Sequence, residues 1–137
     1  MPAAEFTLGE LARWGEALGA SLTAPAVIAL SGDLGAGKTT LAQAIARGYG
    51  VAEPVTSPTF ALVHRYRAPA SPVYHLDLYR LAGPQQLANI GWEDALSDDA
   101  IVLIEWPDRA GSELPAGARA IALAHVPGRP DARRIAW

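Results

Sequence analysis

The chain contains no cysteine and only one lysine among its 137 residues. The lack of cysteine excludes a disulfide framework and a thiolate metal site, and it is typical of proteins from a reducing compartment. Long apolar runs are also missing, because the longest covers only residues 24–30, and the first basic residue is Arg13. We therefore expect neither a membrane span nor a signal peptide, and we predict a cytoplasmic location.

Positive charge is scarce as well. Eleven basic residues face fourteen acidic ones, which gives a net charge of -3. A surface that binds nucleic acid by neutralising its phosphates is therefore not expected, although the C-terminal end is locally basic at Arg129, Arg133 and Arg134. We expect any role in nucleic-acid metabolism to run through a protein partner. Apolar residues make up 50% of the chain, enough for one core, so we predict one domain over residues 1–137.

The single lysine lies in a glycine-rich motif. Residues 32–39 read Gly-Asp-Leu-Gly-Ala-Gly-Lys-Thr and match the complete pattern G-x-x-x-x-G-K-[ST] of a phosphate-binding loop. All other basic residues are arginine, so Lys38 is the one compact ammonium side chain, and it stands where it would reach the β- and γ-phosphates of a nucleotide. The alternative is a glycine-rich turn without a ligand.

The residues around the motif fit its usual context. Residues 26–30 form a short apolar run that predicts a buried strand, and apolar residues recur at helical spacing after Lys38. Strand, glycine-rich loop and helix therefore follow one another in the order that the motif requires. Ahead of them, a capping box from Thr7 to Glu10 predicts a helix over residues 8–18.

Backbone N–H groups and a helix N-terminus make such a loop an anion site. Successive N–H groups from Gly32 to Lys38 can surround the phosphates, and the following helix adds the positive end of its dipole. Thr39 would place its hydroxyl on Mg²⁺, whereas we expect the side chain of Asp33 to point outward. The residues of the loop expected to bind the nucleotide are Gly35, Ala36, Gly37, Lys38, Thr39 and Thr40.

The remainder of the chain predicts further strands, which alternate in polarity or form short apolar runs. They lie at residues 60–66, 73–77, 101–104, 119–125 and 133–137. The first two of these form a predicted hairpin, and the last would pair back onto the strand before it. Two short helical turns are expected after Gly83.

Two acidic residues end predicted strands, at the place where phosphate-binding loops usually have a partner carboxylate. Glu105 directly follows residues 101–104 and would reach Mg²⁺ itself or through a water, or polarise the attacking water. Asp77 is a second acid near the same sheet edge if the two strands are neighbours. The alternatives are a solvated strand end for Glu105 and a turn cap for Asp77.

Residues outside the loop and the two acids are weaker candidates. Ser57, Pro58 and Thr59 lie in a loop about twenty residues after the motif, where a threonine often senses the γ-phosphate, and an ordinary turn is the alternative. Trp106 directly follows Glu105 and is well placed for a site.

The arginines and histidines carry less information. No arginine is an evident catalytic finger, and the candidates are Arg65, Arg80 and Arg109. Hydrolysis is therefore expected to be slow until a partner completes the site. The histidines show no metal-ligand spacing and no Ser, His and Asp set has local order, so we expect partly buried strand histidines at positions 64, 75 and 125.

Four segments of the chain are informative together. They are GDLGAGKTT at residues 32–40, TSPTFALV at 56–63, HLDLYRL at 75–81 and LIEWP at 103–107. In this order and spacing they resemble the TsaE family, also called YjeE, and the resemblance covers nearly the whole chain. It implies one α/β P-loop NTPase domain with a mixed β-sheet flanked by helices.

The resemblance also implies a function. The family is the bacterial ATPase needed to make N6-threonylcarbamoyladenosine in tRNAs that read codons starting with A. It acts with TsaD and TsaB, which carry the transfer chemistry, so tRNA would be met only indirectly. ATP and Mg²⁺ are the implied cofactors, and we expect an ATPase that is slow alone and stimulated by these partners.

Site residues follow from the same resemblance. Thr39 and Glu105 match the family's magnesium positions, Asp77 and Trp106 match residues tied to its ATPase activity, and residues 57–59 match its switch-like loop. The catalytic residues expected on this basis are Lys38, Asp77, Glu105 and Trp106.

Further matches and two departures lie elsewhere in the chain. Arg133 matches a late arginine that contacts the nucleotide, and Thr7 with Leu8 lies where the N-terminal segment would touch the base. Residues 85–86 are both glutamine where the family usually has acidic residues, and Tyr49 replaces a usual leucine. These departures bear on a partner contact or local packing and not on nucleotide binding.

Two other functions compete with this interpretation. A small-molecule kinase is the main alternative, because P-loop kinases can be short. It would need an acceptor pocket and an arginine-bearing lid, for which residues 83–99 are too few and too acidic. A GTPase switch is excluded, because its N-K-x-D motif cannot be formed when the only asparagine is Asn89 and the only lysine is Lys38.

Overall fold

The computed structural model describes residues 2–54 and 63–137, which form a single α/β domain around one mixed seven-stranded sheet. The strands are β1 (Ala3–Thr7), β2 (Ala26–Ser31), β3 (Val63–Tyr66), β4 (Val73–Asp77), β5 (Ile101–Glu105), β6 (Arg119–Val126) and β7 (Arg129–Ala136). The α-helices are α1 (Leu8–Ser21), α2 (Lys38–Tyr49) and α3 (Trp92–Ser97), and 3₁₀ segments cover Pro84–Ile90 and Pro107–Glu113.

The order of the strands in the sheet is β1-β7-β6-β2-β5-β4-β3. The centre is parallel, because β2 pairs with β5 and β6 and β4 pairs with β5, whereas β3–β4, β6–β7 and β1–β7 are antiparallel. The carboxyl ends of the parallel strands therefore meet at one edge, where open α/β sheets bind their ligands. The register places Leu30 and Asp77 opposite Glu105 from its two sides.

Strand β5, which lies beside β2 in the parallel centre of the sheet, is buried along its whole length, as its continuous apolar pattern predicts. Ile101 and Leu103 belong to the core beneath α1 and α2. Val102 and Ile104 belong to a second cluster on the opposite face of the sheet, which also contains Trp92. The strand that delivers Glu105 to the site is thus held from both faces, so the core sets the position of the Glu105 backbone.

Helices α1 and α2 pack against each other closely on one face. At Gly19 and at Gly48, an added Cβ would collide with a backbone carbonyl group of the facing helix. The predicted capping box is present at the start of α1, where the hydroxyl of Thr7 accepts the N–H of Glu10 at 3.2 Å and the Glu10 carboxylate accepts the N–H of Thr7 at 2.9 Å. The close contact fixes α2, whose first residue is Lys38.

Most predicted elements are confirmed, with differences at their ends. The predicted helix at residues 8–18 continues to Ser21, and the predicted last strand begins earlier, at Arg129. The sequence pattern does not predict β1, which forms because all five of its residues pair with β7. The first three residues of the predicted strand at 60–66 lie outside the described residues. In the described part of the chain, no helix is both long and apolar enough to cross a membrane.

Candidate nucleotide-binding site

The glycine-rich loop connects β2 to α2 at the carboxyl edge of the sheet. Gly37 is the N-cap of α2 and has a φ of 103°, a conformation that glycine adopts without strain. At Gly32, which also has a positive φ, an added Cβ would collide with the backbone carbonyl oxygen of Leu123. Asp33 is exposed, as expected. The first N–H groups of α2 have no acceptor within the helix, which leaves them available to an anion.

Lys38 lies over the loop and is a buried residue, 5% exposed. Its Nζ donates to the carbonyl oxygens of Gly32 at 2.6 Å and Asp33 at 2.9 Å. Burial lowers the pKa of the Lys38 ammonium from its ordinary value, and the neighbouring carboxylates of Glu105 and Asp77 oppose this shift. The two hydrogen bonds hold the Lys38 ammonium against carbonyl groups of the glycine-rich loop that precedes it.

Glu105 is only 2% exposed, so the alternative of a solvated strand end is wrong. The hydroxyl of Thr39 lies 2.9 Å from each oxygen of the Glu105 carboxylate and donates to one of them at a time. Oε2 of the same carboxylate lies 2.6 Å from Nε2 of His75. The sheet and the start of α2 thus bring together the two residues expected at the magnesium position.

Asp77 lies beside Glu105, because β4 and β5 are neighbours and these two residues are register partners. Its Oδ1 accepts the N–H of Tyr79 at 3.0 Å, so the turn-cap role considered from the sequence is present as well. Burial raises the pKa of Asp77, and this hydrogen bond from Tyr79 opposes the shift. A half-buried carboxylate of this kind accepts a proton more readily than an exposed one.

Trp106 has an unusual backbone conformation, with a φ of 57° and a ψ of 54°. It is the one residue other than glycine with a positive φ in the described part of the chain, and such strain is typical of functional sites. Its ring lies 4.9 Å from the ring of Tyr79, measured between centroids.

Arg109 is one of the candidate arginines. Its guanidinium donates to the carbonyl oxygen of Leu81 at 2.9 Å, so it stabilises the turn that follows β4.

A second hairpin contacts the loop from the other side. His125 of β6 and Arg133 of β7 are register partners. Nε2 of His125 lies 3.4 Å from the carbonyl oxygen of Leu34, and Nη2 of Arg133 donates to the carbonyl oxygen of Gly35 at 3.2 Å. Arg133 therefore lies at the loop, as the predicted nucleotide contact requires, but the contact itself stays a prediction.

The pocket at this edge has a volume of about 280 Å³. It is lined by Leu34, Gly35, Gly37, Lys38, Thr39, Thr40, Asp77, Tyr79, Glu105 and Trp106. Neither Ala36, which is buried within the loop, nor Thr7, whose hydroxyl caps α1, is among these lining residues. The candidates Arg65, Arg80 and Arg109 are not among its lining residues in the described part of the chain. The predicted switch residues Ser57, Pro58 and Thr59 lie outside the described residues.

Sequence reasoning missed two residues at this site, His75 and Tyr79. His75 was expected to be a partly buried strand histidine, but it is fully buried against Glu105. A signal was available, because His75 and Asp77 are two positions apart on one strand and so share a face. Tyr79 had no such signal, since its place over Trp106 depends on the turn that follows β4.

The fold and this site define the P-loop class of α/β proteins, with a glycine-rich loop between a central strand and a helix and a buried carboxylate on the strand beside it in the sheet. Within that class, the chain belongs to the TsaE family. Residues 7–135 match the family described as threonylcarbamoyl adenosine biosynthesis protein TsaE.

Individual relatives agree with this family. The chain is 49% identical over 96 residues to the tRNA threonylcarbamoyladenosine biosynthesis protein TsaE of Nostoc sp. strain PCC 7120. This match covers 67% of this chain and 59% of the relative. It is 42% identical over 109 residues to the protein of the same name from Haemophilus influenzae. This match covers 80% of this chain and 67% of the relative. The crystal structure of Bacillus subtilis YdiB superposes with a TM-score of 0.76 at 26% identity, and covers 98% of this chain and 83% of that one.

Proposed function

We propose that this protein is a Mg²⁺-dependent ATPase that acts with TsaD and TsaB in the N6-threonylcarbamoyladenosine modification of tRNAs that read codons starting with A. The observation that carries the proposal is the meeting of Lys38, Thr39, Asp77 and Glu105 in one pocket at the carboxyl edge of the sheet. Membership of the TsaE family supports the pathway, and the names of the relatives support tRNA as the final target.

The loop would hold the phosphates of ATP. Lys38 is already at the pocket, with two hydrogen bonds to loop carbonyl groups that phosphate oxygens would replace. Backbone N–H groups at the start of α2 would bind the same oxygens, because they lack acceptors in the helix. Arg133 and Thr7 are further proposed contacts, on the hairpin side of the loop and at the start of α1.

The residues at the acidic side of the pocket fit Mg²⁺. Thr39 and Glu105 are oxygen donors that already converge at 2.9 Å. No set of three His, Cys, Asp or Glu side chains suited to a metal occurs within residues 2–54 and 63–137, but this ion commonly uses one or two protein oxygens together with phosphates and waters. When bound, Mg²⁺ would neutralise the charge that develops on the β- and γ-phosphates.

Asp77 is the residue that we assign to the attacking water. One of its oxygens accepts the N–H of Tyr79, and the other has no partner among the described residues. Its raised pKa favours acceptance of a proton from water, whereas Glu105 is committed to Thr39 and His75. Trp106 and Tyr79 would cover the pocket and limit the access of other waters.

The proposal includes stimulation of the ATPase by partner proteins. None of the pocket-lining residues described is an arginine, and an arginine that stabilises the transition state is worth about 10³–10⁵ in rate when a partner supplies it. We therefore propose slow hydrolysis alone, stimulation by TsaD and TsaB, only indirect contact with tRNA, and a cytoplasmic location. The switch role of Ser57, Pro58 and Thr59 remains part of the proposal.

The test is ATP hydrolysis by the purified protein, alone and with TsaD and TsaB added. Strong stimulation that is lost in both Lys38→Ala and Glu105→Ala would support the proposed ATPase. Turnover that ignores the partners and transfers phosphate to a small acceptor would instead support a kinase. Unchanged nucleotide affinity in Lys38→Ala would overturn the assignment of the site.

A further inference from the structure

His75 is a buried histidine to which the proposed reaction assigns no role. Its side chain is 1% exposed, and its Nε2 lies 2.6 Å from Oε2 of Glu105. Both residues belong to neighbouring strands of the sheet, β4 and β5, and Asp77 follows two positions after His75 on the same face of β4. His75 therefore lies behind the Glu105 carboxylate, on the face of β4 that also carries Asp77.

The surroundings of His75 indicate which ring nitrogen carries the hydrogen. Nδ1 is buried and has no hydrogen-bond partner in the described part of the chain. An N–H group at that position would be left unpaired in the interior, which is costly. A hydrogen on Nε2 instead finds the carboxylate, so Nε2–H donates to Oε2 of Glu105.

The hydrogen bond from His75 restrains the flexible side chain of Glu105 at the end of β5. Glutamate has one more rotatable bond than aspartate, so its carboxylate can turn away from the pocket. Nε2–H of His75 holds Oε2 from below, while the hydroxyl of Thr39 lies within 2.9 Å of both oxygens from the side of α2. Together these hydrogen bonds favour the orientation in which the carboxylate faces Thr39 and His75.

We propose that His75 is a positioning residue that holds the Glu105 carboxylate ready for the Mg²⁺–nucleotide complex. The inference rests on the proposed function and deepens it, because it assigns a second residue that acts through Glu105. Hydrogen bonds of this kind to a ligating side chain are typically worth about 10–100-fold in metal affinity or activity.

The test compares His75→Leu, which removes the donor, with His75→Gln, whose amide N–H reaches about as far from the backbone as Nε2. The dissociation constant of ATP is measured with Mg²⁺ and with EDTA, and the ratio of the two is the magnesium-dependent gain. His75→Leu should lose about 10-fold or more of this gain with little change in EDTA, and His75→Gln should keep it within about 3-fold.

The matched control is His64→Leu, which removes the strand histidine that pairs with His75 across β3 and β4 and lies beside Tyr66. It should leave the gain unchanged. Thermal unfolding is measured for every variant, and if His75→Leu does not fold, His75→Asn replaces it, because its shorter amide does not reach Glu105.

Each outcome decides the inference. A wild-type gain in His75→Leu, a loss in His75→Gln equal to that in His75→Leu, or a parallel loss of affinity with and without Mg²⁺ would each overturn it. Wild-type protein that binds no ATP, or binds it without any gain from Mg²⁺, would instead overturn the proposed function. Failure of the two proposals is therefore distinguishable.

Discussion

The ammonium nitrogen of Lys38 lies 4.1 Å from the centre of the Trp106 ring. A cation over an indole ring is attracted by about 0.5–2 kcal/mol, depending on its exposure. Two carbonyl oxygens of the loop hold the same ammonium, at 2.6 and 2.9 Å. We expect phosphates that bind Lys38 to change the distance between its ammonium and the ring, which would link nucleotide binding to Trp106.

Tryptophan fluorescence should report nucleotide binding through Trp106. Addition of Mg²⁺ and a non-hydrolysable ATP analogue should change the emission of the wild-type protein, because the charge over the indole ring moves. The change should disappear in Trp106→Phe and persist in Trp137→Phe, which removes a tryptophan in the aromatic cluster with Phe6 and Trp14. A full response in Trp106→Phe would contradict the link.

Lys38→Met should separate binding from stability. The variant keeps an unbranched apolar stem and removes a buried ammonium whose pKa is lowered by burial, so the free energy of unfolding without nucleotide should stay within about 1 kcal/mol of the wild type. The stabilisation by ATP, about 2.7 kcal/mol at a concentration 100 times Kd, should be lost. Chemical denaturation with and without ATP measures both. Wild-type stabilisation by ATP would show that Lys38 does not bind it.

Asp77→Asn should lose activity and gain stability above acidic pH. Burial raises the pKa of Asp77 in the folded protein, so the unfolded chain releases this proton at lower pH and folding becomes less favourable as pH rises above about 4. Asparagine does not ionise, so the variant does not lose this stability as pH rises, and its side-chain oxygen can still accept the N–H of Tyr79. The variant should therefore be more stable than the wild type at pH 7 but not at pH 3.

The measurement is denaturation in EDTA at both pH values, together with ATP hydrolysis in the presence of partners, which should fall by about 100-fold or more. Asp99→Asn is the control, because Asp99 is exposed and precedes the opposite end of β5. A stability difference that is equal at the two pH values would argue against a raised pKa at Asp77.

Gly19→Ala should weaken the packing of α1 on α2. The added Cβ would collide with the backbone carbonyl group of Ile45, so the helices must separate at a cost of about 1–3 kcal/mol. Gly9→Ala is the matched control, since its Cβ would meet only the side chain of Arg13 at 3.8 Å, and it should stabilise α1 by up to about 1 kcal/mol. Thermal unfolding checks both, and equal effects would refute the close contact.

Much of the site was predictable from local pattern. The motif around Lys38, the helix that follows it and the buried strand before Glu105 depend on residues close together in the chain, so their spacing identifies them. The same holds for the capping box of Thr7 and Glu10, which forms as predicted. These elements need no knowledge of their neighbours in space.

The alternatives for the two acids could not be resolved in this way. Glu105 is buried because β4 and β2 flank β5, and Asp77 is beside it because β4 is one of those neighbours. Strand order depends on chain connections that no local pattern encodes. From the sequence, the two carboxylates could therefore be predicted to lie together only if their strands were neighbours.

The sequence by itself determined that a phosphate-binding loop lies between a buried strand and a helix, and that an acidic residue ends another buried strand. The tertiary structure alone decided that β1 joins the sheet through β7, that His75 lies beneath Glu105 and that Trp106 covers Lys38. The reason is physical, because spacing along the chain sets which face of a helix or strand a residue occupies, whereas packing between distant segments sets what that face meets.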